Sequence, residues 1–215
     1  MNILIIGAAG GIGHEAVLLA LQENHKVTAV LRHPSKLTIT HPNLSIVQGD
    51  IFQPATFEKQ LREADLIISA IGVSGANMFN DKPTTLYSQG NASLVSAMQR
   101  TGARRAFFIS ASAIEISPVL PFYIRFVAKY VIQKILRHMY ADLRKMEAII
   151  KAANLDWTII RPPQLTKGPV TGQYRTAVNA FLKNALKISR ADVAHYMIHN
   201  AGNEATYKGI VEIGY

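Results

Sequence analysis

Seven residues near the amino end, Gly7-Ala8-Ala9-Gly10-Gly11-Ile12-Gly13, have the types and spacing to cradle an anion. Glycine permits a tight turn and lets backbone approach a ligand with no Cβ in the way. Ala16, Leu19 and Ala20 follow at helical spacing. A glycine turn that opens a helix aims free N–H groups at one point, where a dinucleotide pyrophosphate is the usual occupant. One βαβ unit further on, NAD-specific domains carry an acid for the ribose 2′-hydroxyl. Here that place holds Arg32, with His33 and Lys36 close behind. A carboxylate would repel a 2′-phosphate, whereas a guanidinium grips it with paired charge-assisted bonds, so the pattern predicts NADP(H). Asp50 could accept from an adenine amino group with Ile51 packed on the ring, or could cap a helix starting near Pro54. Gly72 would let backbone lie against a ribose, or is an ordinary strand-end glycine.

Residues for the chemical step are fewer. Ser110 and Ser112 alternate along a strand and so share a face. The Ser110 hydroxyl could bond substrate or nicotinamide, or satisfy strand-end backbone. A Tyr with a Lys four residues on can protonate a carbonyl, because the Lys lowers the phenol pKa. Tyr140 is the nearest candidate, but Arg144 stands four places later and Lys145 five. One residue turns a helix by about 100°, so Lys145 is no simple replacement. The rival reading packs Tyr140 on the apolar face of its helix. His195 and His199 could share a helix face, yet no motif adds a further ligand, and no metal is expected. Arg125, Lys129, Gln133 and Arg137 recur every four residues through an apolar, aromatic stretch with no acid between Glu115 and Asp142. Such a helix could be a core helix with a wet edge, a lid, a dimer face or a membrane-surface contact.

The elements that must position these residues follow from short β-branched runs alternating with helical stretches. Strands are predicted at 2–6, 26–31, 44–48, 66–70, 105–110, 157–161 and 210–213. Helices are predicted at 11–23, 54–63, 86–101, 121–153 (broken) and 190–201. Such alternation means an α/β Rossmann-type fold: a doubly wound parallel sheet, helices on both faces, one domain over 1–215. Ligands bind at the carboxyl ends of its strands. The segments 7–13, 32–33, 49–51, 71–74, 110–112 and 162–165 should therefore line one crevice, with the substrate pocket formed by about 72–86, 111–145 and 162–188.

The 215-residue chain is 49% hydrophobic, enough for a packed core. It has no cysteine, which removes disulfides and thiolate chemistry. With no signal-peptide pattern and no apolar run long enough to cross a bilayer, a cytoplasmic protein without stable membrane insertion is expected. The net charge of +9 favours anionic partners, but its spread along the chain argues against nucleic acid. A small-molecule partner is expected, with the chain a monomer or homodimer.

Together the glycine loop, Arg32, Gly49-Asp50, the segment 110–112 and Leu155-Asp156-Trp157-Thr158-Ile159-Ile160-Arg161-Pro162 resemble the atypical short-chain dehydrogenases with NmrA-like NAD(P)H-binding domains. The stretches 84–91, 172–174 and 187–194 bring the likeness nearest to the flavin reductase/biliverdin-IXβ reductase type. The resemblance implies that Gly7, Ala9, Gly10, Ile12 and Gly13, with Gly11 in the same loop, hold the pyrophosphate. Arg32 and Lys36 would take the 2′-phosphate, Asp50 and Ile51 flank the adenine, and Ala70, Ile71 and Gly72 line the ribose. Ser110 and Ala111 would approach the nicotinamide, and Pro162 and Pro163 present backbone to its carboxamide. The implied activity is NADPH-dependent hydride transfer to a planar conjugated acceptor such as a flavin, a quinone or a biliverdin-like tetrapyrrole. The alternative is a redox sensor that binds the dinucleotide without turnover.

Overall fold

The computed structural model describes residues 1–73 and 82–215. Ser74, the last residue of one expected crevice segment, lies outside the described residues, as does part of the expected pocket segment 72–86. In chain order the strands are β1 (Asn2–Ile6), β2 (Lys26–Leu31), β3 (Leu44–Gln48), β4 (Leu66–Ser69), β5 (Arg105–Ile109), β6 (Asp156–Arg161), β7 (Gln164–Thr166), β8 (Arg175–Val178), β9 (Lys187–Ser189) and β10 (Gly209–Gly214). The helices are α1 (Gly11–Gln22), α2 (Glu58–Glu63), α3 (Leu86–Thr101), α4 (Phe122–Val127), α5 (Gln133–Ile135), α6 (Arg137–Ala152) and α7 (Arg190–His199).

The main sheet runs β3-β2-β1-β4-β5-β6-β10-β8, parallel except for the antiparallel pair β10–β8 at one edge. β1 lies inside the sheet because it is apolar on both faces. Ile3 and Ile5 enter the core under α1 and α7, while Leu4 and Ile6 enter the core under α3 and α6. The fold is thus a three-layer, Rossmann-like α/β domain. Strand order reverses between β1 and β4, the switch point at which open parallel sheets bind ligands.

Three short strands were not expected. β7 and β9 pair as a separate two-stranded sheet, and β8 is largely exposed, so neither shows the buried apolar run by which a strand is read. The stretch 54–63 begins as a 3-10 turn at Pro54–Phe57 before α2. The stretch 121–153 is broken as expected, with a π-helical turn at Ala128–Ile132 between α4 and α5. That turn alters the every-four polar stripe. Gln133 faces inward and donates to the Ala113 carbonyl at 3.0 Å instead of continuing an exposed row.

Candidate functional site

The glycine loop is shaped by its own packing. Gly7 has φ +86°, and a Cβ on it would stand 2.6 Å from the Ala70 carbonyl oxygen. Only glycine lets the loop after β1 lie against the end of β4. A Cβ on Gly13 would stand 2.3 Å from the Gly7 oxygen, so the first turn of α1 packs directly on the loop. Gly10 N–H closes the turn onto the Gly7 carbonyl at 2.8 Å and Gly10 caps α1 without a side-chain bond. The first N–H groups of α1 therefore have no helical acceptor and face the switch point.

A cleft of about 380 Å³ opens there. Its lining brings together Gly7, Ala9, Gly10 and Gly11 with Arg32, Lys36, Asp50, Ile51, Ala70, Ile71 and Gly72. A cleft of similar size opens beside Asn2, Lys26 and Asn43, at the amino ends of the strands, where no glycine loop or helix start meets it. Ile12 and Gly13 sit behind the loop, buried in α1. The 3-10 turn at Pro34–Lys36, started by a proline at its first position, brings Lys36 back beside Arg32. Asp50 does not cap the helix at Pro54; its Oδ1 accepts from Phe52 N–H at 3.0 Å. That tight turn leaves Phe52, 39% exposed, on the cleft wall. Ile51 is buried and would meet a Cβ at Gly90 of α3 at 3.0 Å, so Phe52 offers more open ring surface to a base than Ile51 does. Gly72 stands 3.6 Å from the Tyr87 hydroxyl by the same measure, and that hydroxyl accepts from Val73 N–H at 3.1 Å.

Tyr87 is fixed from across the fold. The Asp142 carboxylate of α6 accepts from Tyr87 N–H at 2.9 Å and from Ser88 N–H at 3.3 Å, and the Ser88 hydroxyl donates to it as well. Thr85, the first residue before α3, makes no side-chain cap. An acid borrowed from α6 therefore satisfies the start of α3 and suits the positive end of its dipole.

The residues expected around the nicotinamide, in the segments 110–112 and 162–165, are not among those that line this cleft. Ser110, directly after β5, and Arg161, the last residue of β6, lie on the face that α6 covers. The Ser110 hydroxyl donates to Glu147 Oε1 at 2.8 Å. Arg161 grips the same carboxylate with both arms, at 2.9 and 2.7 Å, and reaches Glu115 at 2.8 Å. Burial alone would raise the Glu147 carboxyl, but the Arg161 bonds and charge, with the Ser110 bond, hold it below its ordinary value. The guanidinium of Arg161 is correspondingly held above its own, against the opposing effect of burial. The Ser110 hydroxyl is thus engaged in an ion-pair network under α6. The Pro162 carbonyl accepts from Ser112 N–H at 3.0 Å, which ties the segments after β5 and β6 together. Ala111 and Pro163 are half-buried beside that tie.

Tyr140 is 4% exposed and packs in the core layer under α6, where burial pushes its phenol up and Arg144 only partly offsets that. The Arg144 guanidinium donates to the Ile114 carbonyl at 2.7 Å. The packing reading of Tyr140 matches this placement, and the structure sets no lysine in the dyad position. Glu147 and Phe52 were missed from the sequence. A paired Arg and Glu on neighbouring elements carry no local signature, whereas Phe52, directly after Gly-Asp-Ile, could have been read as an exposed ring at a strand end.

Arg190 is a further residue the sequence did not single out. Its Cδ and Nε lie 2.4 and 2.6 Å from where a Gly11 Cβ would be, so its side chain covers the start of α1. Its Nη1 donates to the Thr166 carbonyl at 3.0 Å. Beside it, Ser189 caps α7 by accepting from Asp192 N–H at 2.9 Å. The Asp192 carboxylate takes N–H bonds from Thr171 and Gly172 and the Tyr215 hydroxyl at 2.6 Å. Burial alone would raise that carboxyl, and these bonds bring it below its ordinary value. His195 bonds the Tyr174 hydroxyl at 2.8 Å, and its ring stacks on His199 at 3.9 Å.

The sequence matches the NAD(P)H-binding family over residues 7–204. It is 29% identical over 217 residues to the uncharacterized sugar epimerase YhfK of Bacillus subtilis, covering 96% of this chain and 90% of that one. It is 23% identical over 176 residues to the photosystem II assembly factor Ycf39 of Synechocystis, covering 81% of this chain; it spans about half of that relative's length, 48%. Two solved structures share the fold. One is a short-chain dehydrogenase/reductase of Veillonella parvula in complex with NADP, with TM-score 0.78, 19% identity, and coverage of 100% of this chain and 94% of that one. The other is ChuY, an anaerobillin reductase of Escherichia coli O157:H7, with TM-score 0.73, 23% identity, and coverage of 99% and 96%.

Proposed function

The chain belongs to the NAD(P)H-binding family, and we propose that it is an NADPH-dependent oxidoreductase acting on a planar conjugated acceptor: a flavin, a quinone or a linear tetrapyrrole. The observation that carries this reading is the cleft at the switch point, whose lining brings the start of α1 together with the cations Arg32 and Lys36. Backbone at Gly7, Ala9, Gly10 and Gly11 would hold the pyrophosphate, supported from behind by Ile12 and Gly13. Arg32 and Lys36 would hold the 2′-phosphate, which favours NADP(H) over NAD(H). Asp50, Ile51 and Phe52 would flank the adenine, and Ala70, Ile71 and Gly72 the ribose. Ser110, Ala111, Pro162 and Pro163 would border the nicotinamide end. The cofactor, when bound, supplies hydride.

The Ser110 hydroxyl engaged by Glu147 and the buried Tyr140 argue against an acid that protonates a simple carbonyl. A conjugated acceptor needs none, because its proton can come from solvent, and catalysis is then mainly proximity. The NADP-bound and anaerobillin-reducing structural neighbours support this reading at the level of fold. The same engagement of Ser110 and Tyr140 favours a second reading, a dinucleotide-binding sensor without turnover.

The test is NADPH oxidation by the purified protein with FMN, riboflavin, quinones and biliverdin, with NADH in parallel. Saturable turnover with NADPH and one preferred acceptor is the expected result. Tight NADPH binding with no turnover on any acceptor would replace the enzyme by the sensor. Binding of neither nucleotide would remove both.

A further inference from the structure

The segment from α4 to α5 presents an apolar surface that no element among the described residues covers. It rests on the domain through half-buried Ile124, buried Ala128, half-buried Gln133 and half-buried Leu136. The five-residue step from Ala128 to Gln133 falls in the π-helical turn and keeps this inner face in contact over its length. Everything large and apolar on the outer side is consequently turned to solvent. Phe122 is 81% exposed and Phe126 62%, and Tyr123, Val127, Tyr130 and Ile135 are exposed beside them. The rings form two neighbouring pairs: Phe126 lies 4.6 Å from Tyr130, and Phe122 meets Tyr123 edge-on at 5.7 Å. A monomeric soluble surface rarely carries so contiguous an apolar area without a use for it.

Charge identifies the occupant. Exposed Arg125, Lys129 and Lys134 are interleaved with these rings, and Lys129 Nζ sits 5.3 Å over the Tyr130 ring. The sequence has no Asp or Glu from 116 to 141. A second copy seated on the same face by a two-fold axis would bring like charges together with no acid of that segment to pair them. An anionic bilayer surface takes both features at once: rings and aliphatic groups enter the headgroup boundary while cations pair with lipid phosphates. No helix among the described residues is long and apolar enough to cross a membrane, so the contact is in-plane. We propose that this face docks the protein on an anionic lipid surface, with Phe122, Phe126 and Tyr130 as the apolar anchors and Arg125, Lys129 and Lys134 as the phosphate contacts.

Flotation of the full chain with vesicles tests the proposal. One set is phosphatidylcholine alone, and the other is an equal-part mixture with phosphatidylglycerol. The protein is expected to float with the mixed vesicles, to stay behind with phosphatidylcholine, and to be released by salt. The double substitution Phe122→Ser with Phe126→Ser should abolish flotation without lowering the midpoint of thermal unfolding, because both rings are already in water. Each surface cation is worth about fivefold in partitioning, so joint reversal of Arg125, Lys129 and Lys134 to Glu should cost roughly a hundredfold or more. Failure to float with either vesicle overturns the proposal. Equal flotation with both overturns its anionic part. A concentration-dependent dimer in sedimentation that the Phe substitutions abolish, without vesicle binding, assigns the face to a second copy instead.

Discussion

Replacing Glu212 by glutamine should stabilise the fold above neutral pH and change it little in acid. Glu212 stands on β10 directly opposite Arg161 of β6 and is 8% exposed. Its Oε1 has no hydrogen-bond partner among the described residues. Arg161 Nη1 comes only to 3.9 Å, because the guanidinium is already bonded to Glu147 and Glu115. Burial therefore outweighs the attraction of Arg161, and Glu115 and Glu147 add repulsion, so the carboxyl rises from 4.5 to about 7. The folded protein keeps a proton that the unfolded chain releases, so stability is lost as pH rises from the unfolded value through about 7 and stays low above it. A shift of this size corresponds to a ceiling of roughly 3 kcal/mol, and water penetration into a real interior reduces it to about 1–2 kcal/mol. Glu147, held low, contributes the opposite slope, but it is present in both proteins and cancels in the comparison. Urea unfolding of the native protein and Glu212→Gln at about pH 5 and about pH 8 measures the difference directly. The variant should be more stable by about 1–2 kcal/mol at the higher pH and by about a quarter of that at the lower. An equal difference at both pH values, or a less stable variant at the higher one, would refute the reasoning.

Other perturbations separate the parts of the cleft. Arg32→Ala should weaken NADPH binding by about 2 kcal/mol and NADH binding little, read by titration calorimetry; equal loss for both would remove the 2′-phosphate assignment. Arg190→Ala, beside the start of α1, should weaken both nucleotides alike, by about 1–2 kcal/mol, because the pyrophosphate is common to them. Gly7→Ala forces a side chain into left-handed backbone and against the Ala70 carbonyl, so it should lower stability by about 2–4 kcal/mol in denaturant unfolding. Asp142→Ala leaves three donors at the start of α3 without their acceptor and should cost about 2–3 kcal/mol by the same measure.

Much of the fold could be read from the sequence because its signals are local. Ile3 to Ile6, apolar at every position, can only be a strand buried on both faces, and Gly7 to Gly13 at its end can only be a turn into a helix. The crevice segments up to Gly72 were placed by the rule that loops at strand ends share one edge. What escaped depends on partners distant in sequence. Ser110 reads as a hydroxyl for substrate, nicotinamide or strand-end backbone until the packing of α6 on β5 brings Glu147 to it. Arg190 carries no local signal of a role until α7 packs beside α1 and lays it over Gly11. β7 and β9, at three residues each, are too short to show a period, and β8 is short and largely exposed. The every-four stripe at 125–137 was a sound pattern for an ideal helix, and one π turn rotated Gln133 out of it.

The cap that Asp142 provides for α3 also bears on the order in which the chain assembles. Donor and acceptor are 54 residues apart, with β5 between them. On the growing chain only Leu86 N–H of α3 has a local acceptor, the Thr84 hydroxyl at 3.2 Å, and the N–H groups of Tyr87 and Ser88 gain theirs only after β5 has joined the sheet and α6 has docked. Contacts of such separation form late because the loop-closure entropy precedes their reward. Leu86 and the residues that follow β4, Ala70 to Gly72, form part of the cleft wall. That wall should therefore be completed in the last stage of folding, and nucleotide should stabilise the finished state without speeding its formation. Measured as rates, NADPH is expected to slow unfolding and to leave the refolding limb unchanged.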